Sequence, residues 1–214
     1  MPIQGSANSG SFPDEMLIAT RNRGKVRELR SLLAGLPFGL RSLPEFPATT
    51  DVAETGQTFA ENAALKASDY AKQTGLWSMA DDSGLEVDAL GGAPGIFSAR
   101  YAGEHATDGE RIERLLDELG RTKDSERKAR FICVIAIAGP NGEIVNLSEG
   151  TCVGRITLTP RGANGFGYDP IFLPHGHTQT FGELSEEIKR EISHRARALQ
   201  SARAFLLDLL NSRP

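Results

Sequence analysis

Cysteine is scarce in this chain. Cys133 and Cys152 are the only two among 214 residues, and both sit in apolar, strand-like stretches. Their spacing matches neither a zinc-ligand pattern nor a disulfide framework, so both read as reduced packing residues in a reducing compartment. A long hydrophobic run is also missing. No stretch approaches the ~18 uninterrupted apolar residues that cross a bilayer, and no basic patch followed by an apolar segment opens the chain. Membrane insertion is thereby excluded, and a cytoplasmic location is the expectation. Positive charge is in short supply too, with 24 Lys and Arg against 28 Asp and Glu for a net charge of -4. Without a global positive field, nucleic acid is not an expected partner. Affinity for phosphate must come from a local cluster of cations and amides, or from a metal.

What is present is ordinary globular composition, 39% apolar and 24% charged, enough for one core or for one domain with two lobes. Residues 1–13 are small and polar without periodicity, so they read as a loose tail before a single domain over residues 14–214. Met16 to Thr20 reads as a strand, Arg21 to Gly24 as a turn, and Lys25 to Leu33 as a helix with Val26, Leu29, Leu32 and Leu33 at helical spacing. Residues 34–57, rich in Pro, Gly and Thr, read as a connection with a short strand. Thr58 and Glu61 predict a capping box opening a helix to about Lys72, closed by Gly75, and Thr107 and Glu110 predict a second such start. Trp77 to Ala80 reads as a short strand from which Asp81-Asp82-Ser83-Gly84 turns away, leaving two carboxylates at a strand end. Phe131 to Ala138, turned at Pro140-Asn141-Gly142 into Ile144 to Cys152, predicts a long hairpin, and the last helix is expected from about His194 to Asn211. A long antiparallel hairpin among mixed helices and strands predicts an α/β domain with a mixed sheet.

Four stretches carry chemical groups. Thr20-Arg21-Asn22-Arg23-Gly24-Lys25 gathers a hydroxyl, an amide and an ammonium where a strand gives way to a helix. That is a natural anion site, although a plain helix cap looks similar, and one glycine does not make a Walker loop. The adjacent carboxylates Asp81 and Asp82 must be solvated, capping or neutralised by a cation, and magnesium prefers such oxygen ligands. The glycine-rich Gly162 to Pro170 presents Phe166 and Tyr168, either for stacking on a base or for packing into a core. Lys189 and Ser193-His194-Arg195 supply donors suited to a base or phosphate, or else form a solvated helix face.

Taken in order, these stretches resemble the inosine and xanthosine triphosphate pyrophosphatases. The resemblance runs from about residue 16 to 210. Its motifs are T-x-N-x-x-K at Thr20 to Lys25, ETGxTFxENAxLKA from Glu54 to Ala67, ADDSGLxVDxLGGAPGIxSARYAG from Ala80 to Gly103, GxGYDPIF from Gly165 to Phe172, and a modified ELSxEEKxxISHR from Glu183 to Arg195. Ile188 departs from that pattern, which usually has an acidic or polar residue before Lys189.

The resemblance implies an elongated mixed β-sheet flanked by helices, with two lobes around a central nucleotide-binding cleft, usually in a homodimer. It implies that Thr20, Asn22 and Lys25 hold the triphosphate with Lys66 beside them. Glu54 and Asp82 would serve Mg2+, with Asp82 also accepting a proton from the attacking water. Ser83 would contact substrate, Phe166, Gly167, Tyr168 and Asp169 would form the base-binding loop, and Lys189, His194 and Arg195 would complete the nucleotide contacts. The implied reaction is hydrolysis of ITP, dITP and XTP to the monophosphate and pyrophosphate. A pyrophosphatase for modified pyrimidine nucleotides and a nucleotide-binding protein without catalysis are the alternatives.

Overall fold

An eleven-residue strand buried along nearly its whole length, with side chains sent to both faces of the sheet, organises the molecule. The computed structural model describes residues 14–123 and 125–211, and the expected tail at 1–13 lies outside them. Strand β1 (Glu15–Ile18) leads into α1 (Arg23–Leu32), then β2 (Gly39–Ser42), α2 (Phe59–Thr74) and β3 (Trp77–Val87). A 3-10 turn at Gly95–Arg100 precedes α3 (Asp108–Gly120), the hairpin β4 (Lys128–Ala138) and β5 (Ile144–Ile156), the short β6 (Phe172–Pro174), α4 (Glu186–Ile192) and α5 (His194–Asn211). The six strands form one sheet in the order β2-β1-β3-β4-β5-β6. Strand β1 is parallel to β2 and β3, and the pairs from β3 to β6 are antiparallel, as a mixed sheet requires.

Helices cover both faces. Met79 of β3 and Cys133, Ile135 and Ile137 of β4 pack with Leu29 of α1 and Ala198, Leu199, Ala202 and Leu206 of α5. Their neighbours Ala80, Ile132, Val134 and Ala136 point the other way, onto Phe59, Ala63, Ala67 and Tyr70 of α2. A second core gathers at the far ends of these strands, where Ile112, Leu115 and Leu119 of α3 meet Phe131, Phe172 and Phe181. These two bodies of apolar packing are the two lobes.

Local signals account for the helix ends. The Thr58 hydroxyl accepts from the Glu61 amide, and α2 stops at Gly75, whose φ of 69° suits a residue without Cβ. The Glu61 carboxylate caps the Gln57 amide instead of closing a reciprocal box, which does form between Thr107 and Glu110.

One expectation is overturned. Asp81-Asp82-Ser83-Gly84 does not turn; β3 runs straight through it, paired with β4 from Ser78 to Val87. Gly84 is there for close approach, since a Cβ at that position would meet the Gly95 carbonyl and stand 2.5 Å from Ser98 Oγ. The carboxylates are therefore in mid-strand, and the period of two sends them to opposite faces.

Candidate functional site

The link from β1 to α1 forms one end of the site. Asn22 is the N-cap of α1; its side-chain oxygen accepts from the Lys25 amide at 3.1 Å, while its own amide donates to the Thr20 hydroxyl at 3.2 Å. Thr20 and Asn22 thus shape the turn that presents the positive end of a ten-residue helix. Asn22 and Lys25 line a cleft of about 790 Å³. Thr20 stands behind them, outside the residues that line it.

The two carboxylates of β3 do different work. Asp81, buried on the α1 and α5 side, has one oxygen 3.2 Å from Lys25 Nζ and bonded to both Nε and an outer nitrogen of Arg195 at 3.2 Å. Burial alone would raise its pKa, but Lys25 and Arg195 outweigh burial and hold the carboxyl below its usual range. Asp82 faces α2 and lines the cleft, where one oxygen takes a 2.7 Å hydrogen bond from Lys66 Nζ. Burial pushes its pKa up, with Lys66 and Lys25 opposing, which makes a more basic carboxylate of it.

Lys66 also donates to Glu54 Oε1 at 2.8 Å, and Arg100 donates to Glu54 Oε2 at 3.0 Å. Burial works against the Lys66 ammonium, but its two carboxylates prevail and raise its pKa. Among the described residues no three His, Cys, Asp or Glu side chains converge into a cage for a metal ion. Glu54 and Asp82, held together through Lys66, fit magnesium instead as a partial oxygen set completed by water and substrate phosphate, the arrangement that small ion favours.

Phe166, Gly167, Tyr168 and Asp169 also border the cleft, with the Phe166 ring set against Gly24 at the start of α1. Asp169 is buried, accepts from the Phe166 amide at 2.9 Å and takes Lys189 Nζ at 2.7 Å. Tyr168 divides its roles: its ring is buried in the second core, and its hydroxyl donates to the Ser98 carbonyl at 3.0 Å. Lys189 Nζ and the Arg195 guanidinium each stand 5.6 Å from the Phe166 ring centre, placing cations beneath an aromatic face. Arg195 also donates to Ser83 Oγ at 3.0 Å. His194 stacks on Phe131 with ring centres 4.6 Å apart, and burial, then Arg195, keep its imidazole neutral by lowering its pKa well below normal.

Sequence reasoning did not pick out Glu28, Arg100, Asp108 and Arg111 as site residues, and it left Asp81, singled out beside Asp82, without a role of its own. Glu28 accepts from Lys189 at 3.1 Å and pairs with Arg195, joining α1 to α4 and α5. Lys25, Asp81, Arg195, Glu28, Lys189 and Asp169 thus form one chain of ion pairs that alternates in sign. The available signal was charge balance, because a buried cation demands carboxylates and the proposed set held more cations than partners.

A mixed α/β fold whose cleft gathers cations, carboxylates and an aromatic loop has the groups that suit a small, phosphorylated, ring-bearing molecule. The Ham1 family model matches residues 16–205, and the chain belongs to that family. A dITP/XTP pyrophosphatase of Nostoc sp. is 48% identical over 197 residues, covering 92% of this chain and 96% of the relative. One from Desulforamulus reducens is 50% identical over 192 residues, covering 90% and 95%. Among solved structures, a HAM1 protein from Coxiella burnetii superposes with a TM-score of 0.83 at 45% identity, covering 91% of this chain and 98% of that one.

Proposed function

We propose that this protein hydrolyses deaminated purine nucleoside triphosphates, ITP, dITP and XTP, between the α and β phosphates, releasing the monophosphate and pyrophosphate with Mg2+ bound. The observation that carries this reading is the Asp82–Lys66–Glu54 cluster at a cleft that the Phe166 loop also borders. The names borne by relatives about half identical to it support the same reaction.

Lys25 and the α1 N-terminus, which border the cleft, and Lys66 behind Asp82 and Glu54 would offset triphosphate charge, as fixed charges do without reorganising. Asp82, basic and bordering the cleft, takes the proton of a water attacking the α phosphorus as the bond to the bridging oxygen breaks and pyrophosphate leaves. Glu54 and Asp82 would hold magnesium, which when bound supplies charge neutralisation to the phosphates. Phe166 offers its face to the purine, worth ~1–3 kcal/mol. Lys189 and Arg195 supply donors toward a 6-oxo acceptor that adenine lacks, and a buried group left unpaired costs ~1–3 kcal/mol. Both cations already serve carboxylates, so base recognition shares their remaining N–H groups. Leu147 and Val153, exposed on the outward face of β5, support the homodimer that the resemblance implies, and light scattering would test it.

The test is incubation with magnesium and ITP, XTP, GTP, ATP or modified UTP and TTP analogues, measuring pyrophosphate and orthophosphate with an EDTA control. Pyrophosphate from ITP and XTP, little from ATP and GTP and none with EDTA is expected. Orthophosphate, or equal rates on ITP and ATP, would refute the reading.

A further inference from the structure

Beside the bonds that Asp169 makes with Lys189 and Gly182, two directed hydrogen bonds tie the Phe166 loop to the Gly95–Arg100 turn and to α3. Tyr168 reaches the Ser98 carbonyl, and the Gly167 amide donates to Asp108 Oδ2 at 2.7 Å. Asp108 is the first residue of α3, and Arg111, one turn along, pairs with its other oxygen. Arg111 also donates to the Ala99 carbonyl at 2.6 Å and the Ala106 carbonyl at 2.9 Å. The base-side loop, the start of α3 and the Gly95–Arg100 turn are thereby laced together through one ion pair. Both Asp108 and Arg111 border the cleft. The helix does not need Asp108 as its cap, because Thr107 and Glu110 already close that end reciprocally.

We propose that Asp108, oriented by Arg111, is a positioning residue for base recognition. By holding the Gly167 amide it fixes where the neighbouring Phe166 ring stands, and so sets affinity for the base while leaving the triphosphate end alone. This inference rests on the functional reading above. A charge-assisted hydrogen bond fixes geometry as well as supplying energy, and a loop released from one spreads over positions of which few stack productively.

The experiment compares Asp108→Ala, Asp108→Asn, Arg111→Met and the Asp108→Ala/Arg111→Met double variant with the wild type. It reads kcat and KM for ITP together with inhibition by inorganic tripolyphosphate, which carries phosphates and no base. The expected result for Asp108→Ala is a KM raised about tenfold, with kcat and tripolyphosphate inhibition each changed less than about threefold. Asp108→Asn, which restores an acceptor for Gly167, is expected to recover most of the lost affinity. Arg111→Met should raise KM by itself, and the double variant should be no worse than the worse single one. An unchanged KM in both Asp108→Ala and Arg111→Met overturns the proposal. So does an equal weakening of tripolyphosphate, which would mean that the whole cleft had loosened. A wild type that releases no pyrophosphate from ITP overturns the functional reading itself, a different failure from an active wild type matched by its variants.

Discussion

Replacing Lys66 by methionine keeps an unbranched stem in α2 and removes the charge shared by Glu54 and Asp82. The two carboxylates lose bonds of 2.8 and 2.7 Å. Glu54 keeps Arg100 on its other oxygen and its side chain is 29% exposed, whereas Asp82 is almost fully enclosed. Removing one partner of a buried pair costs about 3–5 kcal/mol. The partial exposure of Glu54 and its second cation place this case near about 3 kcal/mol, and at about 2–4 °C per kcal/mol for a chain of this size Tm should fall by about 6–12 °C at neutral pH. The loss should depend on pH with a definite sign. Burial raises the folded-state pKa of Asp82 above its unfolded value, and Lys66 is the largest charge opposing that rise. Such a group contributes stability at low pH that is lost as pH rises through the folded pKa. Without Lys66 that pKa climbs further, so the penalty is larger at neutral pH and shrinks in acid, and the acidic limb of kcat/KM moves to higher pH. Thermal melts at acidic and neutral pH, with a kcat/KM profile on ITP, measure both effects. Equal Tm values and an unmoved acidic limb would refute the assignment of Lys66 as the counter-charge of Asp82.

Asp82→Asn should keep the shape of the site and lower kcat about 10²- to 10⁴-fold while tripolyphosphate inhibition changes little; full turnover would remove Asp82 as the proton acceptor. At Gly24 an added Cβ would stand 2.6 Å from Phe166 Cδ1, so Gly24→Ala should raise KM for ITP about fivefold or more while Tm holds or rises, alanine being the better helix former. Steady-state kinetics beside a melt checks both halves of that statement. At Gly150 an added Cβ would run into the His194 carbonyl and Ala198 amide of α5, so Gly150→Ala should lower stability by about 3 kcal/mol, read from the denaturant midpoint.

Elements governed by neighbours in sequence were legible before the structure. Thr58, Gly75 and the Thr107–Glu110 pair mark helix ends through bonds spanning a single turn, and α5 begins at His194 as its periodicity predicts. The hairpin followed from an apolar run long enough to be buried on both faces. The Asp81–Gly84 segment misled because its composition favours a turn, whereas ten residue pairs with β4 and compensating cations from α1, α2 and α5 favour extension. Tertiary pairing prevails over local preference there. The bonds of Glu28 to Lys189 and Arg195 join residues more than 160 positions apart, and no periodicity carries such information. Asp108 drew no notice in the sequence, because its bond is to Gly167, 59 residues further on.

The unbroken passage of β3 through Asp81 and Asp82 also bears on how this chain can change. Two chemically identical acids differ in duty only because one residue's advance along a strand exchanges front for back. A one-residue deletion or insertion just upstream would put the enclosed anchor of Lys25 and Arg195 at the cleft and bury the proton acceptor among the anchor's partners. The composition would hardly differ, yet both duties would be lost at once. Loops elsewhere can gain or lose residues, but this strand can vary only by replacement, since the odd or even count of its residues carries the assignment of roles.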